Sequence, residues 1–340
     1  MLFGLRILYL GMLVITTSLA NAGESLKKTV QSRPLLGTVV TVEVCQAGSD
    51  AGPVRAAFQS AWQRLDEIHA RMNSYDPASD VSLVNKAAGQ AVKVHADVVE
   101  LIRRSQEFRH LTGGVFDVTI APLSRLWKES AKKDHYPSQP DILATKKLVN
   151  AGKIELLPDG RVRLPDPGMQ LDLNGDVSGY AADEVVAIFR RAGISSFLID
   201  TGGEIYAAGL NCEGRKWRVG ISDPNDPGKM IEVAELSDAA INTSGDYEKY
   251  VVIRGRRWSH IINPLTGYPA VGAASVTVIA PTTIEADVLA KPLAILGPDA
   301  GFRFFRSFGK GYEALIYWRG EDGKLVRHTT PGYKNYQRRE

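Results

Sequence analysis

Cysteine is almost absent from this 340-residue chain: only Cys45 and Cys212 occur, far apart and without the close spacing of a metal site. A cysteine-built metal centre and a disulfide-dense fold are excluded. Two buried or half-buried thiols are the expectation, with a disulfide open to them in an oxidising compartment if they meet. A charge excess is also missing. Lys and Arg number 41 against 38 Asp and Glu, and the formal net charge of +3 is too small to gather nucleic acid or anionic lipid. Nowhere after the first residues is there an apolar run near the roughly 20 residues that span a bilayer. The G-x-G-x-x-G and P-loop spacings are absent, which removes the usual dinucleotide and triphosphate fingerprints. No repeat or low-complexity linker divides the chain.

What is present begins with a leader. One arginine, Arg6, precedes an apolar run from Ile7 to Ile15, and small residues lead to Ala20-Asn21-Ala22. That is the form of a secretory signal peptide cleaved after Ala22, so residues 1–22 are set aside and 23–340 are read as one domain. The remaining composition, 44% hydrophobic and 23% charged, is that of a globular chain with a sizeable core.

Val39–Val44 is dense in β-branched residues and reads as a strand. From Pro53, residues Val54, Phe58, Ala61, Leu65, Ile68 and Met72 recur at helical spacing. Val98, Leu101, Ile102, Phe108 and Leu111 on one face mark a second helix stopped by Gly113-Gly114. Val115–Leu123 is an apolar segment interrupted by Asp117, and Lys128 to Pro140 reads as a polar surface insertion with His135 solvated. Asp141–Val149 is predicted to be a short helix. Pro158-Asp159-Gly160 closes a hairpin between 153–157 and 161–164, and Gln170–Leu173 reads as a further strand. The segment 172–183 then turns strand into helix, a place where free N–H groups and the helix dipole favour phosphate. Strands are expected at 197–200, 205–208, 217–221, 250–253, 258–262, 275–280, 312–318 and 324–328. Thr282 opens a helix with a capping box; Pro292 inside it predicts a kink near Asp287. Ala300–Phe308 reads as another helix and Tyr333–Glu340 as a tail. Without regular βαβ alternation, the fold class is α+β, with mixed, mainly antiparallel sheets and packed helices.

The stretch 241–293 carries chemistry rather than core. Asn242-Thr243-Ser244-Gly245-Asp246-Tyr247, Ser259-His260-Ile261-Ile262-Asn263-Pro264 with Gly267, and Asp287 followed four positions later by Lys291 gather hydroxyls, one histidine and an acid–base pair. Together with Leu36-Gly37-Thr38, Met72-Asn73-Ser74-Tyr75-Asp76-Pro77, Gly114–Leu123 and Asp172-Leu173-Asn174-Gly175 through Asp183, these form ordered blocks. In these blocks the chain resembles the ApbE family of FAD:protein FMN transferases, over nearly everything from Arg33 to Trp318. The resemblance implies a T-fold-like core, and an exported enzyme that cleaves FAD and places FMN on a Ser or Thr hydroxyl of an acceptor protein, with release of AMP and assistance from Mg²⁺. The expected partners are FAD and a periplasmic or membrane electron-transfer subunit, and the expected location is the periplasm, at the inner membrane if the leader stays uncleaved.

Carried over by position, Leu36, Tyr75, Val115, Phe116, Asp117, Asp172, Ser178 and Ile262 match flavin-contacting residues, an apolar and aromatic wall with polar groups for ring and ribose atoms. His260 matches the active-site histidine, a candidate to take the acceptor hydroxyl's proton. Gly175 and Asp287 match metal-site positions, and a third, a threonine in the family, is here Lys291. A protonated lysine has three donors and no acceptor. Either Lys291 takes over part of the metal's charge, beside Asp287 as a catalytic pair, or Asp176 serves as a displaced ligand, or the protein binds FAD without turnover as a carrier or scaffold. A fourth outcome is FAD hydrolysis, water replacing the acceptor.

Overall fold

The computed structural model describes residues 26–46, 52–246, 250–309 and 311–338. The leader and Tyr247 lie outside the described residues. Lys27–Leu35 (β1) and Thr38–Gln46 (β2) form an antiparallel hairpin. Three helices follow around a two-residue strand: Gly52–Met72 (α1), Asp80–Lys86 (α2), Val92–Lys93 (β3) and Ala96–Leu111 (α3). Next come Ala121–Lys132 (α4), Gln139–Lys146 (α5), Glu155–Leu156 (β4), Arg161–Arg163 (β5) and Val177–Arg191 (α6). Strands then dominate: Phe197–Asp200 (β6), Glu204–Ala208 (β7), Trp217–Asp223 (β8), Asp226–Leu236 (β9), Ala239–Gly245 (β10), Tyr250–Ile253 (β11), Arg256–Ser259 (β12) and Ala273–Ala280 (β13). Thr283–Phe305 (α7), Glu313–Arg319 (β14) and Leu325–Thr329 (β15) complete the order.

Eight of these strands build one sheet in the order β1-β2-β6-β7-β10-β13-β14-β15, every adjacent pair antiparallel. The α+β reading is therefore correct. Side-chain alternation assigns the two faces. Ala240, Val276, Val278 and Ile316 point to α7 and bury Leu289 and Leu293. Their neighbours Ile241, Ile279 and Leu315 point the other way, where Trp217, Val219 and Leu236 of the β8–β9 hairpin cover them. At the β2–β6 end, α1, α3 and α6 close a further core around Phe58, Leu65, Leu101 and Phe189. A smaller cluster, Leu123, Trp127, Ile142, Ile253 and Ile262, joins α4 and α5 to the β11–β12 hairpin.

Several expectations need correction. The polar insertion begins only after Lys132, because Ala121–Lys132 is an amphipathic helix with Leu123 and Trp127 buried and its charges outward. Residues 170–173 form no strand. The Asn85 side chain takes the neighbour's place, accepting from Leu171 N at 2.6 Å and donating to Leu171 O at 2.9 Å. The break in α7 falls at Gly297 (φ 73°), not near Asp287. Gly297 precedes Pro298, whose ring disfavours the α conformation in the residue before it, whereas helix continues through Pro292. Strand β12 stops at Ser259, so His260 lies in a bend. The expected tail is docked: Tyr333 is fully buried, and Tyr336 O accepts from Glu235 N at 2.7 Å. The two cysteines are joined in a disulfide.

Candidate active site

Leu36 and Gly37 make the two-residue turn between β1 and β2, both with positive φ, 55° and 77°. Such a turn matches the twist of the strands it joins, but leucine is rarely tolerated there. Half-buried Leu36 packs at the edge of the α1–α6 core. A Cβ on Gly202 would stand 2.6 Å from Thr38 Oγ1, so this turn and the 201–204 bend touch. The first sequence block thus meets the start of β7.

Helix α3 ends through Gly113 and Gly114, both left-handed, with Gly114 N donating to Arg109 O at 2.8 Å. Val115 and Phe116 are then buried, Phe116 edge-on to Phe108. Asp117 turns inward. Its carboxylate accepts from Arg109 Nε (2.8 Å), Thr119 N (2.9 Å), Thr119 Oγ1 (2.5 Å) and Ala151 N (3.0 Å). These donors fill the carboxylate, so Asp117 ties α3 to the segment after α5.

The 172–178 turn is different. Asp172 faces the surface, its Oδ1 accepting from Asn174 N (3.0 Å) and Nδ2 (2.7 Å), while its own N donates to Val118 O (2.7 Å). Asp176 is wholly buried and accepts from Ser105 Oγ at 2.5 Å; its Oδ1 finds no donor among the described residues. Burial, with the nearby charge of Asp287, pushes its carboxyl up to about 8 against the Ser105 hydrogen bond. Ser178, half-buried, lies in the first turn of α6, and its carbonyl accepts from Thr201 Oγ1 at 3.2 Å. One residue on, Gly179 lets α6 lie against the start of α7: a Cβ there would be 2.6 Å from Ile284 Cα.

That contact delivers Asp287. Asp287 is 3% exposed, and one turn along α7 the Lys291 ammonium donates to its Oδ1 and, at 2.9 Å, to its main-chain oxygen. The lysine stem crosses Gly175, where a Cβ would sit 3.3 Å from Lys291 Cε and 3.5 Å from Phe116 Cε2. Gly175, Asp287, Lys291 and Phe116 are thus brought together, as the blocks suggested. Glu204 joins the same charge cluster: burial and then the charge of Asp287 raise its carboxyl, while Lys291 opposes the shift. In the sequence Glu204 carries no signal beyond a carboxylate directly after Gly202-Gly203.

Tyr75 is 84% exposed; it shares with Asp172 and Asn174 a cleft of about 810 Å³, ample for a drug-sized ligand. Lys86, Arg125 and Lys128 also line it. His260 is exposed in the bend after β12, and Ile262 is buried in the cluster with Leu123 and Trp127. The following loop is pinned to α4 and α5, where Trp127 Nε1 and Lys146 Nζ each donate at 2.9 Å, to Gly267 O and Leu265 O.

The residues at the expected metal position do not fit a divalent cation. Lys291 engages both the carboxylate and the carbonyl of Asp287; an ammonium offers no lone pair and repels a second cation. Among the described residues the one group of three ligand-type side chains within reach of each other is Glu43, Cys45 and Cys212, where the two sulfurs are bonded to one another.

Fold and site together define an α+β protein with a cleft carrying an exposed aromatic residue, joined by the 172–175 turn to a lysine anchored among carboxylates. A family model, the ApbE family, matches residues 36–316. The chain is 34% identical over 300 residues to the FAD:protein FMN transferase of Escherichia coli K12, covering 85% of this chain and 84% of that protein. It is 31% identical over 280 residues to the one from Vibrio cholerae, covering 79% and 82%. The apo flavinyl transferase ApbE of Pseudomonas stutzeri superposes with a TM-score of 0.79 at 29% identity, covering 92% of this chain and 97% of that one. An ApbE protein of Thermotoga maritima gives 0.80 at 27% identity, covering 92% and 100%. The chain belongs to the ApbE family.

Proposed function

We propose that this protein is an FAD:protein FMN transferase acting on an exported acceptor. The observation that carries the reading is the 172–175 turn, which is shared by the cleft at Tyr75 and by the Lys291–Asp287 pair. A flavin in the cleft would thereby direct its pyrophosphate toward a fixed positive charge. Tyr75 offers a ring face to the isoalloxazine and Asp172 a polar partner within the same cleft, whose lining does not include Leu36, Val115, Phe116, Ser178 or Ile262. The acceptor's Ser or Thr oxygen attacks the phosphorus on the riboflavin side. The bond from that phosphorus to the bridging oxygen breaks, and AMP leaves with the bonding electrons. His260 takes the hydroxyl proton. No part of this sequence uses Mg²⁺, because the residues at 287 and 291 do not fit it.

Export is part of the proposal. The leader form of residues 1–22 supports it, and so does the Cys45–Cys212 disulfide, which persists in oxidising compartments. The acceptor is then a periplasmic or membrane-bound electron-transfer subunit.

The test is incubation of the mature protein with FAD and a Thr-bearing acceptor domain encoded near it, reading acceptor mass and AMP. A mass gain of one FMN with equimolar AMP is expected. FAD retained without AMP would make the protein a noncatalytic flavin carrier, and free FMN with AMP in the absence of acceptor would make it a pyrophosphatase.

A further inference from the structure

The pyrophosphate of FAD carries two negative charges, yet Asp172, Asp176, Glu204 and Asp287 all act on the electrostatics of this one neighbourhood. An anion brought here needs a cation to meet it. The transferase reading, on which this step rests, leaves that need unmet by a metal. We infer that Lys291 is itself the cation of the reaction, a substitute built into α7 that lets FMN transfer proceed without a divalent metal.

The geometry assigns each donor. Two of the three ammonium protons go to Asp287, one to Oδ1 and one to the main-chain oxygen, and among the described residues Lys291 has no other hydrogen-bond acceptor. The third is left for a pyrophosphate oxygen. Spacing of four residues places Lys291 directly above Asp287 on the helix, and the pair is anchored on a rigid element rather than a loop. Asp287 is buried and Lys291 only partly so, with side-chain exposures of 4% and 19%, so the ammonium is the member that a ligand can reach. Gly175 is the second independent feature. Its φ is not left-handed, so no turn requires glycine there. What a Cβ would meet is the lysine stem on one side and Phe116 on the other. The missing side chain lets the lysine stem pass close against the 172–175 turn.

In the reaction the bond between the riboflavin-side phosphorus and the bridging oxygen breaks, and the electron pair stays with AMP. Negative charge grows on that oxygen, and Lys291 meets it without giving up its proton. A compact ammonium supplies charge where a metal would, but offers fewer contacts.

The experiment compares wild type, Lys291→Thr and Lys291→Met in acceptor flavinylation with excess EDTA and with Mg²⁺, alongside Mn²⁺ titration of each protein with FAD bound, followed by electron paramagnetic resonance. Wild type is expected to transfer FMN at the same rate in EDTA and in Mg²⁺, and to leave Mn²⁺ free. Lys291→Thr in EDTA should fall by roughly a hundredfold, the usual loss of one transition-state donor, and should recover with Mg²⁺ while gaining a Mn²⁺ site. Lys291→Met should fall as far and not recover. Wild-type transfer that needs Mg²⁺, or a wild-type Mn²⁺ site lost in Asp287→Asn, would overturn the inference. If wild type retains FAD and transfers nothing under any condition, the transferase reading fails instead, and the Mn²⁺ titration of unaltered protein still decides whether Lys291 holds the cation position.

Discussion

Asp117 and Asp176 are both buried aspartates, and Phe116 stands between their surroundings, next to one in sequence and against the neighbour of the other in space. Their treatment is opposite. Asp117 collects an arginine, a hydroxyl and two amides; Asp176 has a single serine, and one oxygen is left without a donor. A saturated carboxylate organises the chain around it and has nothing left for a ligand. An undersatisfied one costs stability, and such groups persist where a site needs them. The 109–119 region is therefore scaffold, and the 172–178 turn belongs to the working face.

The largest expected effect breaks the scaffold side. Asp117→Ala leaves Arg109 and three further donors unpaired and should cost about 3–5 kcal/mol in urea unfolding. Asp176→Asn, which keeps an acceptor for Ser105 and replaces a carboxyl that burial, pushing it up to about 8, already holds mainly uncharged at neutral pH, should stay within about 1 kcal/mol of wild type. Equal costs would erase the distinction. A second measurement concerns Asp97, another well-satisfied aspartate. Burial alone would raise its carboxyl, but Arg64 and Arg71, each at 2.7 Å, outweigh that and hold it below the ordinary 3.8. A lowered folded value means that the stabilisation is present above the unfolded pKa and is lost as pH falls through the folded one. Asp97→Asn should therefore weaken the protein at neutral pH and flatten its acid limb, as read by thermal melts across pH. The smallest effect on stability belongs to the working face. Tyr75→Ala should leave unfolding within about 0.5 kcal/mol, while FAD affinity, followed by flavin fluorescence, drops about tenfold.

Legibility in the sequence follows the same division. α1 and α3 could be read because their apolar residues keep one period, and β13 because seven of its eight residues are buried. β1 escaped notice: KKTVQSRPL is an edge strand, mostly exposed and carrying Pro34. β10 reads as site rather than strand because its Asn242, Thr243 and Ser244 are polar. In the sheet they pair with Val278, Thr277 and Val276, and Thr243 bonds Thr277 across the ladder at 2.9 Å. Local pattern carries no record of such cross-strand partners. The site was legible as blocks and as an unexpected lysine. That Lys291 lies over Gly175 and that Glu204 joins them depend on contacts between residues about 80 to 120 positions apart, which no window of sequence contains; Asp117 meets Arg109 and Thr119 locally, and only its bond from Ala151 N spans 34 positions.

The Cys45–Cys212 bond closes a separation of 167 residues into a covalent ring. Tyr75, Phe116, Asp117 and Gly175 ride on that ring, while His260, Asp287 and Lys291 are carried on the linear chain beyond it. The two halves of the site thus have different topologies. A single peptide-bond cut within the ring opens it but releases nothing until a thiol is added, whereas one cut between Cys212 and His260 divides the site into two separate molecules held by packing alone.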